Sequence, residues 1–308
     1  MAKCNSCGNY VDQAGETCEK CYQSHGDGSV SKTNTLDNTI VSCEWLNQHL
    51  TDTNLVVLDA SSKSNVSGLK SDLEDVQIPN TRYFDLAKDF SEPGAEFPNT
   101  FPSAEQFNAS CQQLGINKDS VIVVYDNLGI FNSPRVWWMF LAMSHHNIYV
   151  LNGGLPAWVS KGFATELKTE KTYPKGDFEG VKVLPQIKDF QFMETYAPLG
   201  TVQVVDARSK GRFDGTAPEP REGLRSGSIP YSMNIPFQEV LENGFLKSKS
   251  QLEEIFHEVK ANKRPKVFSC GSGLTACILL LAAKHIGIDD LSIYDGSWTE
   301  WATKTNES

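Results

Sequence analysis

The chain has 308 residues, enough for two domains of ordinary size, and its 40% hydrophobic and 21% charged residues are typical of globular proteins. A net charge of −10 without any basic run argues against nucleic acid as a partner. The longest apolar runs, 136–143 and 277–283, are too short to cross a membrane, and the N-terminus has neither a signal-peptide core nor an Arg-rich transit bias. We therefore expect a cytoplasmic protein whose eight cysteines are ligands, nucleophiles or core residues rather than disulfides.

The first 25 residues carry two C-x2-C pairs, formed by Cys4, Cys7, Cys18 and Cys21. Two such pairs can complete a tetrahedral thiolate site, and the metal would supply the folding energy of a stretch too short for a core. The pattern predicts a structural zinc knuckle at 1–25 that could bind a protein partner. A tail of reduced thiols and a redox role are the alternatives, and His25 is a substitute ligand that four thiols make unnecessary. Residues 26–38 are predicted to be a linker because they are rich in polar and glycine residues.

From residue 39 to 163 the sequence alternates between helical and strand patterns. The predicted elements are a helix opened by Ser42, a strand at 55–58, a helix at 104–114 capped by Ser103, a strand at 121–125, an apolar helix at 134–144 and a strand at 148–151. Strands that are rich in Val and Ile and separated by helices predict a parallel α/β sheet.

The same order of landmarks recurs in the second half of the chain. Residues 56–61 are echoed by 204–209, 78–80 by 229–231, and 152–158 by 295–301. The members of each pair are separated by nearly the same number of residues, which indicates a duplicated domain. We assign the copies to residues 39–163 and 187–303, joined by a Lys/Thr/Pro/Gly-rich linker at 164–186.

The stretch 267–276 (VFSCGSGLTA) of the second copy leads from an apolar run into a helical pattern that ends at residue 285. Gly271 and Gly273 are expected to let the backbone curl, so that N–H groups point at the Cys270 sulfur beside the helix N-terminus. A thiol held there can ionise readily and act as a nucleophile, although a buried structural cysteine is the alternative. The matching residue of the first copy is Asp126, so only the second copy keeps the nucleophile.

These residues resemble the tandem rhodanese sulfurtransferases over roughly residues 36–303. The stretch 126–140, containing SPRVWWMF, is similar to the family's inactive-domain signature, and 294–301 (YDGSWTEW) is similar to its C-terminal signature. The resemblance implies two rhodanese-like domains, inactive then catalytic, each a mainly parallel five-stranded sheet with helices on both faces. The loop 270–275 (CGSGLT) resembles the mercaptopyruvate type, because thiosulfate-type members carry basic residues after the cysteine.

The resemblance also implies a mechanism that needs no catalytic cofactor. Cys270 takes sulfur from a small donor, 3-mercaptopyruvate in preference to thiosulfate, and passes it from a persulfide to a thiol acceptor such as thioredoxin or a small dithiol. The catalytic loop that it implies consists of Cys270, Gly271, Ser272, Gly273, Leu274 and Thr275. The motifs GRF and PEPR place Arg212 and Arg221 at the family's carboxylate-binding arginines, with two solvated loop arginines as the alternative.

Two departures from the family pattern lie in the first copy, where Ala87 and Asn99 replace an Asp and a His. Asn99 can hydrogen-bond a substrate but cannot act as a base, and Asp89 could partly replace the acid. The alternative function is therefore a pair of rhodanese-like domains with weakened catalysis, which carries a persulfide or binds a protein partner through the zinc knuckle. A cysteine phosphatase would need an arginine where this chain has Ala276. Cys277 could resolve the persulfide into a disulfide, but the sequence favours a buried position for it on the helix.

Overall fold

The computed structural model of the protein describes residues 2–3, 10–11, 39–62, 68–183 and 186–305. The chain divides into two compact units, Met1–Asp37 and Asn38–Ser308. In the first unit, strands Ala2–Lys3 (β1) and Tyr10–Val11 (β2) form an antiparallel pair. The predicted zinc ligands Cys4, Cys7, Cys18 and Cys21 lie outside the described residues, as does the predicted linker up to residue 38.

The second unit begins with a parallel sheet. The strands of this half are Ile40–Val41 (β3), Leu55–Asp59 (β4), Val76–Gln77 (β5), Arg82–Tyr83 (β6), Val121–Tyr125 (β7), Ile148–Leu151 (β8) and Glu166–Leu167 (β9). Five of them form a sheet of order β3-β8-β7-β4-β6, whereas β5 and β9 form a separate antiparallel pair. The helices of this half are Cys43–His49 (α1), Ala104–Gln113 (α2), Ser133–Ala142 (α3) and Gly154–Ser160 (α4).

A second parallel sheet repeats this arrangement. Its half of the chain contains the strands Ile187–Lys188 (β10), Gln203–Asp206 (β11), Met233–Asn234 (β12), Leu241–Glu242 (β13), Phe245–Leu246 (β14), Lys266–Ser269 (β15) and Leu291–Tyr294 (β16). The helices are Phe190–Tyr196 (α5), Lys210–Phe213 (α6), Lys249–Ile255 (α7), His257–Ala261 (α8), Ala276–His285 (α9) and Ser297–Lys304 (α10), with a 3₁₀ turn at Phe237–Val240. The order β10-β16-β15-β11-β12 matches the first sheet strand for strand, which confirms the prediction of two copies of one α/β fold.

Local sequence signals account for most element boundaries. The hydroxyls of Ser42 and Ser103 accept hydrogen bonds from the third residue beyond them, as N-caps do. Strands β7 and β8 and helix α9 have the predicted bounds. The helix predicted at 134–144 instead ends at Ala142, because Ser144 adopts a left-handed backbone with φ 61° that a helix cannot continue through.

Helices α3 and α9 pack against each other and join the two sheets into one body. Both are buried around most of their circumference, which explains why their sequences are apolar on every face. Phe131 and Phe237 add an edge-to-face ring contact of 5.9 Å between the two halves. Each helix follows the loop at the carboxyl end of its central strand, so their N-termini and the two loops face a shared region.

Part of the stretch predicted as an interdomain linker, 164–186, packs against the first of the two α/β copies. Phe178 is buried among that half's core residues, and its N–H donates to Ile116 O at 3.1 Å. The N–H of Gly176 likewise donates to Gln112 O at 2.8 Å. In the part of the chain that the structure describes, no helix combines the length and the apolar character that crossing a bilayer would require.

Candidate active site

A cavity of about 610 Å³ lies between the two domains and is lined by residues of both. The predicted site residues on its wall are Cys270, Gly271, Ser272, Leu274, Thr275, Arg212, Arg221 and Asn99. The fold therefore gathers the predicted nucleophile, both predicted arginines and one residue of the first domain. Gly273 is the one predicted loop residue that does not line this cavity.

Cys270 follows strand β15 directly and is 2% exposed at the cavity wall. Its N–H and that of Gly273 both donate to Ser297 Oγ, at 3.2 and 3.0 Å, and Ser297 Oγ donates to Tyr294 O at 2.8 Å. The loop is thus tied to the start of helix α10. These two N–H groups do not point at the sulfur as the sequence predicted, because a serine hydroxyl takes them.

The remaining N–H groups of the loop differ from these two in their hydrogen bonding. Those of Gly271, Ser272, Leu274 and Thr275 have no acceptor within the described ranges. Ser272 is buried, whereas Gly271, Leu274 and Thr275 are partly exposed at the cavity wall, so these N–H groups can donate to an anion that enters the cavity. The prediction of a loop that cradles an anion therefore keeps its physical basis, although with a different set of donors.

The corresponding loop of the first domain shows what such a cradle holds. Asp126 takes the place of Cys270 after strand β7, and its buried carboxylate accepts from the backbone N–H groups of Leu128, Phe131, Asn132 and Ser133 at 2.9 to 3.0 Å. Burial raises the pKa of Asp126, and these hydrogen bonds oppose that rise. In the first copy the loop N–H groups thus bind the Asp126 carboxylate, whereas in the second copy the corresponding loop lines the cavity.

The structure gives a different reason for a glycine at each of the two loop positions. Gly273 has φ +76°, and a Cβ there would lie 2.8 Å from Asp295 O and 3.0 Å from Arg135 Nη1. The backbone bends at Gly271, but Gly271 is outside the left-handed region, so its φ does not require a glycine. A Cβ on Gly271 would lie 3.0 Å from Arg212 Nη2 and 3.8 Å from Arg221 Nη1. Gly271 therefore allows the Arg212 guanidinium to approach the loop closely, whereas the distance to Arg221 is an ordinary contact.

Arg212 is held in place by a buried carboxylate. Its Nη2 donates to Glu219 Oε2 at 2.6 Å and its Nε to Glu219 Oε1 at 3.2 Å, and the same Oε1 also accepts from Arg208 Nη1 at 2.8 Å. Arg208 is itself fully buried, paired with Asp206 and stacked on the Trp298 ring at 4.4 Å. This chain of ion pairs fixes the direction of the Arg212 guanidinium and neutralises its charge.

Arg221 carries the uncompensated charge of the site. No carboxylate among the described residues lies within ion-pair distance of it, and its Nη1 donates to Thr299 Oγ1 at the long distance of 3.4 Å. Burial lowers the pKa of its guanidinium and the neighbouring charge of Arg212 acts in the same direction, whereas the nearby Cys270 and Glu219 oppose this shift. An anionic ligand in the cavity would relieve both effects.

The first domain's contribution to the wall differs in part from expectation. The side-chain amide of Asn99 donates to Ser272 O and Oγ at 3.2 and 3.1 Å, so it holds the loop. Ala87 lines the cavity, as the alignment with the family's Asp position implies. Asp89 is not on this wall but lines a separate cavity with Tyr173, so the expectation that it replaces the acid is wrong. The nearby carboxylate on the wall is instead Asp85.

Sequence reasoning missed four residues that hold the site together: Ser297, Asp295, Glu219 and Arg135. Ser297, Asp295 and Glu219 lie within the quoted signatures YDGSWTEW and PEPR, and Arg135 lies within SPRVWWMF. Their presence in those motifs was the available signal. The contacts of Arg135 and Asp295 cross the domain interface, and Ser297 binds residues 24 and 27 positions away, so that spacing alone could not assign these three.

Cys277 has the environment predicted for a buried helix residue. It is fully buried, its Sγ donates to Gly273 O at 3.3 Å, and burial raises its pKa to about 12. A thiol with these properties stays protonated and is a poor resolving nucleophile. Ala276, at the position where a phosphatase needs arginine, is also fully buried.

No cluster of three or more His, Cys, Asp or Glu side chains in the described ranges could hold a metal ion. The predicted zinc ligands fall in the part of the chain outside those ranges. Besides apolar side chains, the cavity wall carries a thiol, guanidinium groups, hydroxyls, side-chain amides, backbone donors and one carboxylate, Asp85. Such a site can bind an anion and perform nucleophilic chemistry at sulfur with its own groups.

Comparison with known proteins places this geometry in context. The family model described as Rhodanese-like domain matches residues 42–161 and again 193–304. An Arabidopsis thaliana protein named thiosulfate/3-mercaptopyruvate sulfurtransferase 1, mitochondrial, is 38% identical, over 86% of this chain and 76% of its own length. The 3-mercaptopyruvate sulfurtransferase of Rattus norvegicus is 36% identical, over 86% of this chain and 92% of its own. A 3-mercaptopyruvate sulfotransferase structure from Escherichia coli superposes with a TM-score of 0.74 at 29% identity, over 85% of this chain and 99% of the other.

Proposed function

This chain belongs to the rhodanese-like family and is a sulfurtransferase, and we propose that it takes sulfur from 3-mercaptopyruvate, releases pyruvate and carries the sulfur as a Cys270 persulfide. The observation that supports this proposal is that Cys270, Arg212 and Arg221 line one cavity. The loop beside Cys270 also has N–H groups without an acceptor among the described residues. The loop suits an anionic sulfur, and the arginines suit a planar carboxylate.

The charge balance of the site favours a singly charged donor. Asp206 and Glu219 neutralise Arg208 and Arg212, which leaves Arg221 as the available cation. A donor with one carboxylate matches that single charge. Thiosulfate, a dianion, would find no second uncompensated cation among the described wall residues.

The reaction has two steps that balance without a cofactor. The Cys270 thiolate attacks the sulfur of 3-mercaptopyruvate, an S–S bond forms, the C–S bond breaks, and the thiol proton ends on the methyl carbon of pyruvate. A thiol acceptor then attacks the outer sulfur and breaks the S–S bond, which regenerates the Cys270 thiolate. Arg212 and Arg221 orient the donor, and the loop N–H groups stabilise the persulfide anion. Thioredoxin or a small dithiol has the chemistry required of the acceptor.

Steady-state assays on a matched pair of cysteine variants test the proposal. We expect the parent protein and Cys277→Ser to release pyruvate from 3-mercaptopyruvate, and Cys270→Ser to release none. We also expect a higher kcat/KM with 3-mercaptopyruvate than with thiosulfate. Turnover retained in Cys270→Ser would overturn the assignment of the nucleophile, and a preference for thiosulfate would overturn the assignment of the donor.

We further propose that Cys4, Cys7, Cys18 and Cys21 hold a structural zinc ion, supported by the C-x2-C spacing of the sequence alone. Metal analysis of the purified full chain is expected to find one zinc per chain and much less in Cys4→Ser. Deleting residues 1–25 is expected to preserve sulfur transfer while abolishing capture of any protein partner of this segment. Zinc content unchanged by Cys4→Ser would reject these ligands.

A cytoplasmic location is also a proposal, supported by the four free cysteines among the described residues, because thiols persist in a reducing compartment. Fractionation of cells that express the chain with a C-terminal tag is the appropriate measurement. Recovery in the organelle fraction, as the name of the Arabidopsis relative says of that protein, would contradict the proposal.

A further inference from the structure

A buried arginine of the first domain reaches into the catalytic loop of the second. Arg135 lies in helix α3, is 0% exposed, and stacks on the Trp138 ring at 4.6 Å. Its Nη1 donates to Gly273 O at 3.3 Å, and its Nη2 donates to Asn99 O at 2.6 Å and Asp295 Oδ1 at 2.8 Å. One planar guanidinium thus joins two segments of the second domain to one of its own.

The contacts of Asp295 close this connection in the opposite direction. Asp295 follows strand β16, and its Oδ2 accepts from the Phe101 N–H of the first domain at 2.6 Å. The Arg135–Asp295 ion pair is therefore buried and neutral as a unit, and both Nη atoms of Arg135 and both carboxylate oxygens of Asp295 have fixed partners, although Arg135 Nε has none among the described residues. Because the two charges compensate each other, we expect the ion pair to affect the Cys270 sulfur through the position of the loop and not through a net charge.

Asn99 extends the same network to the loop serine. Its backbone is left-handed, with φ 59°, and Arg135 holds its carbonyl oxygen. Its side chain donates to Ser272 O and Oγ, so both of its polar ends are tied to the site's framework. Asn99 therefore fixes the loop through its Nδ2, and its Oδ1 is the side-chain atom left to contact a donor.

We propose that Arg135 and Asn99 are positioning residues through which the first domain sets the geometry of the Cys270 loop. The inference rests on the proposed function, because the loop matters through the reactivity of Cys270. It gives the first domain, whose own loop is filled by Asp126, a role in the reaction of the second. It also reassigns Asn99 from the donor-binding role expected from the sequence to a loop-holding one.

Two substitutions separate this role from donor binding. Arg135→Lys keeps the positive charge, but a single Nζ cannot span three acceptors held by a planar fork. Asn99→Gly suits the left-handed backbone and leaves a carbonyl for Arg135, while it removes both bonds to Ser272. A catalytic group displaced by about 1 Å can lose on the order of 100-fold in rate. Because Arg212 and Arg221 lie on a different segment, the donor KM should stay near its parent value.

The control is Arg82→Lys. Arg82 is another partly buried arginine of the first domain, which donates to Leu114 O at 2.6 Å and stacks on the Tyr173 ring at 4.8 Å, away from the cavity. We would measure kcat and KM for 3-mercaptopyruvate, together with the rate at which iodoacetamide alkylates Cys270. We expect kcat to fall about tenfold or more in Arg135→Lys and Asn99→Gly, with KM within about twofold and slower alkylation. Arg82→Lys should change none of these.

A kcat within about twofold of the parent in a folded variant would overturn the inference. So would parallel changes of kcat, KM and alkylation in all three variants, because these would reflect general destabilisation. Asn99→Gly carries the test alone if Arg135→Lys does not fold. Alkylation needs no sulfur donor, so a parent protein that fails to turn over 3-mercaptopyruvate would reject the donor assignment, while the alkylation rates still decide the positioning role.

Discussion

Replacing Arg221 with methionine should weaken donor use without weakening the fold. In the folded protein Arg221 makes one long hydrogen bond to Thr299 and no ion pair within the described ranges. Burial and the charge of Arg212 both lower the pKa of its guanidinium, so the fold does not favour the cation. A neutral side chain of similar length should therefore cost the native state about 0.5 kcal/mol or less.

The expected loss in catalysis follows from the contact that Arg221 would make with the donor. A hydrogen bond to a charged group contributes about 1.5–3 kcal/mol. At 1.4 kcal/mol for each factor of ten, kcat/KM for 3-mercaptopyruvate should fall about 10- to 150-fold in Arg221→Met. The loss should appear mainly in KM if both the ground state and the transition state use the contact.

Arg212→Met is the matched comparison, since it removes the same charge from the same wall. It should cause a similar loss in kcat/KM, but it also deprives the buried Glu219 carboxylate of one of its two guanidinium partners. We expect this to cost about 2–3 kcal/mol of stability and to lower Tm by about 5 °C or more. Equal Tm losses in the two variants, or a kcat/KM in Arg221→Met within about threefold of the parent, would refute the assigned roles.

Three further predictions concern the framework around the site. Gly273→Ala should abolish turnover and cost about 1–3 kcal/mol, because its Cβ would meet Asp295 O at 2.8 Å, whereas Gly223→Ala, with a similar φ of +77° and open space, should keep full activity in the pyruvate assay. Asp126→Asn should cost about 3 kcal/mol in denaturant unfolding, because its amide cannot accept from every backbone donor of the cradle. Burial lowers the pKa of His145 below 6.5, so the folded state binds fewer protons than the unfolded one and stability is lost as the pH falls below 6.5. Thermal unfolding of His145→Gln should show a smaller dependence over that range, and an unchanged dependence would reject this origin.

Much of the architecture follows from patterns that the sequence displays directly. The Val- and Ile-rich runs of β7 and β8, the apolar helix α9 and the hydroxyl caps Ser42 and Ser103 are local signals with local outcomes. The repeated landmarks indicated two copies, and the two sheets share one strand order. The end of helix α3 was harder to predict, because the left-handed residue Ser144 ends the helix within an otherwise apolar pattern.

The site was predictable where it depends on motifs and unpredictable where it depends on docking of the domains. Cys270, Arg212 and Arg221 come from recognisable motifs and line one cavity. The contact of Arg135 with Gly273 O joins residues far apart in the chain, and no periodicity encodes it. Asp89 was placed wrongly because the direction of a carboxylate in an irregular segment depends on a turn that spacing does not determine.

The most direct test of the central claim is the mass of the protein after brief exposure to 3-mercaptopyruvate without an acceptor. The chain should gain the mass of one sulfur atom, digestion should locate it on the peptide that contains Cys270, and a dithiol should remove it. Cys270→Ser should gain nothing under the same conditions, while Cys277→Ser should behave as the parent does. Pyruvate release without added sulfur on Cys270, or sulfur added to another cysteine instead, would contradict the persulfide mechanism.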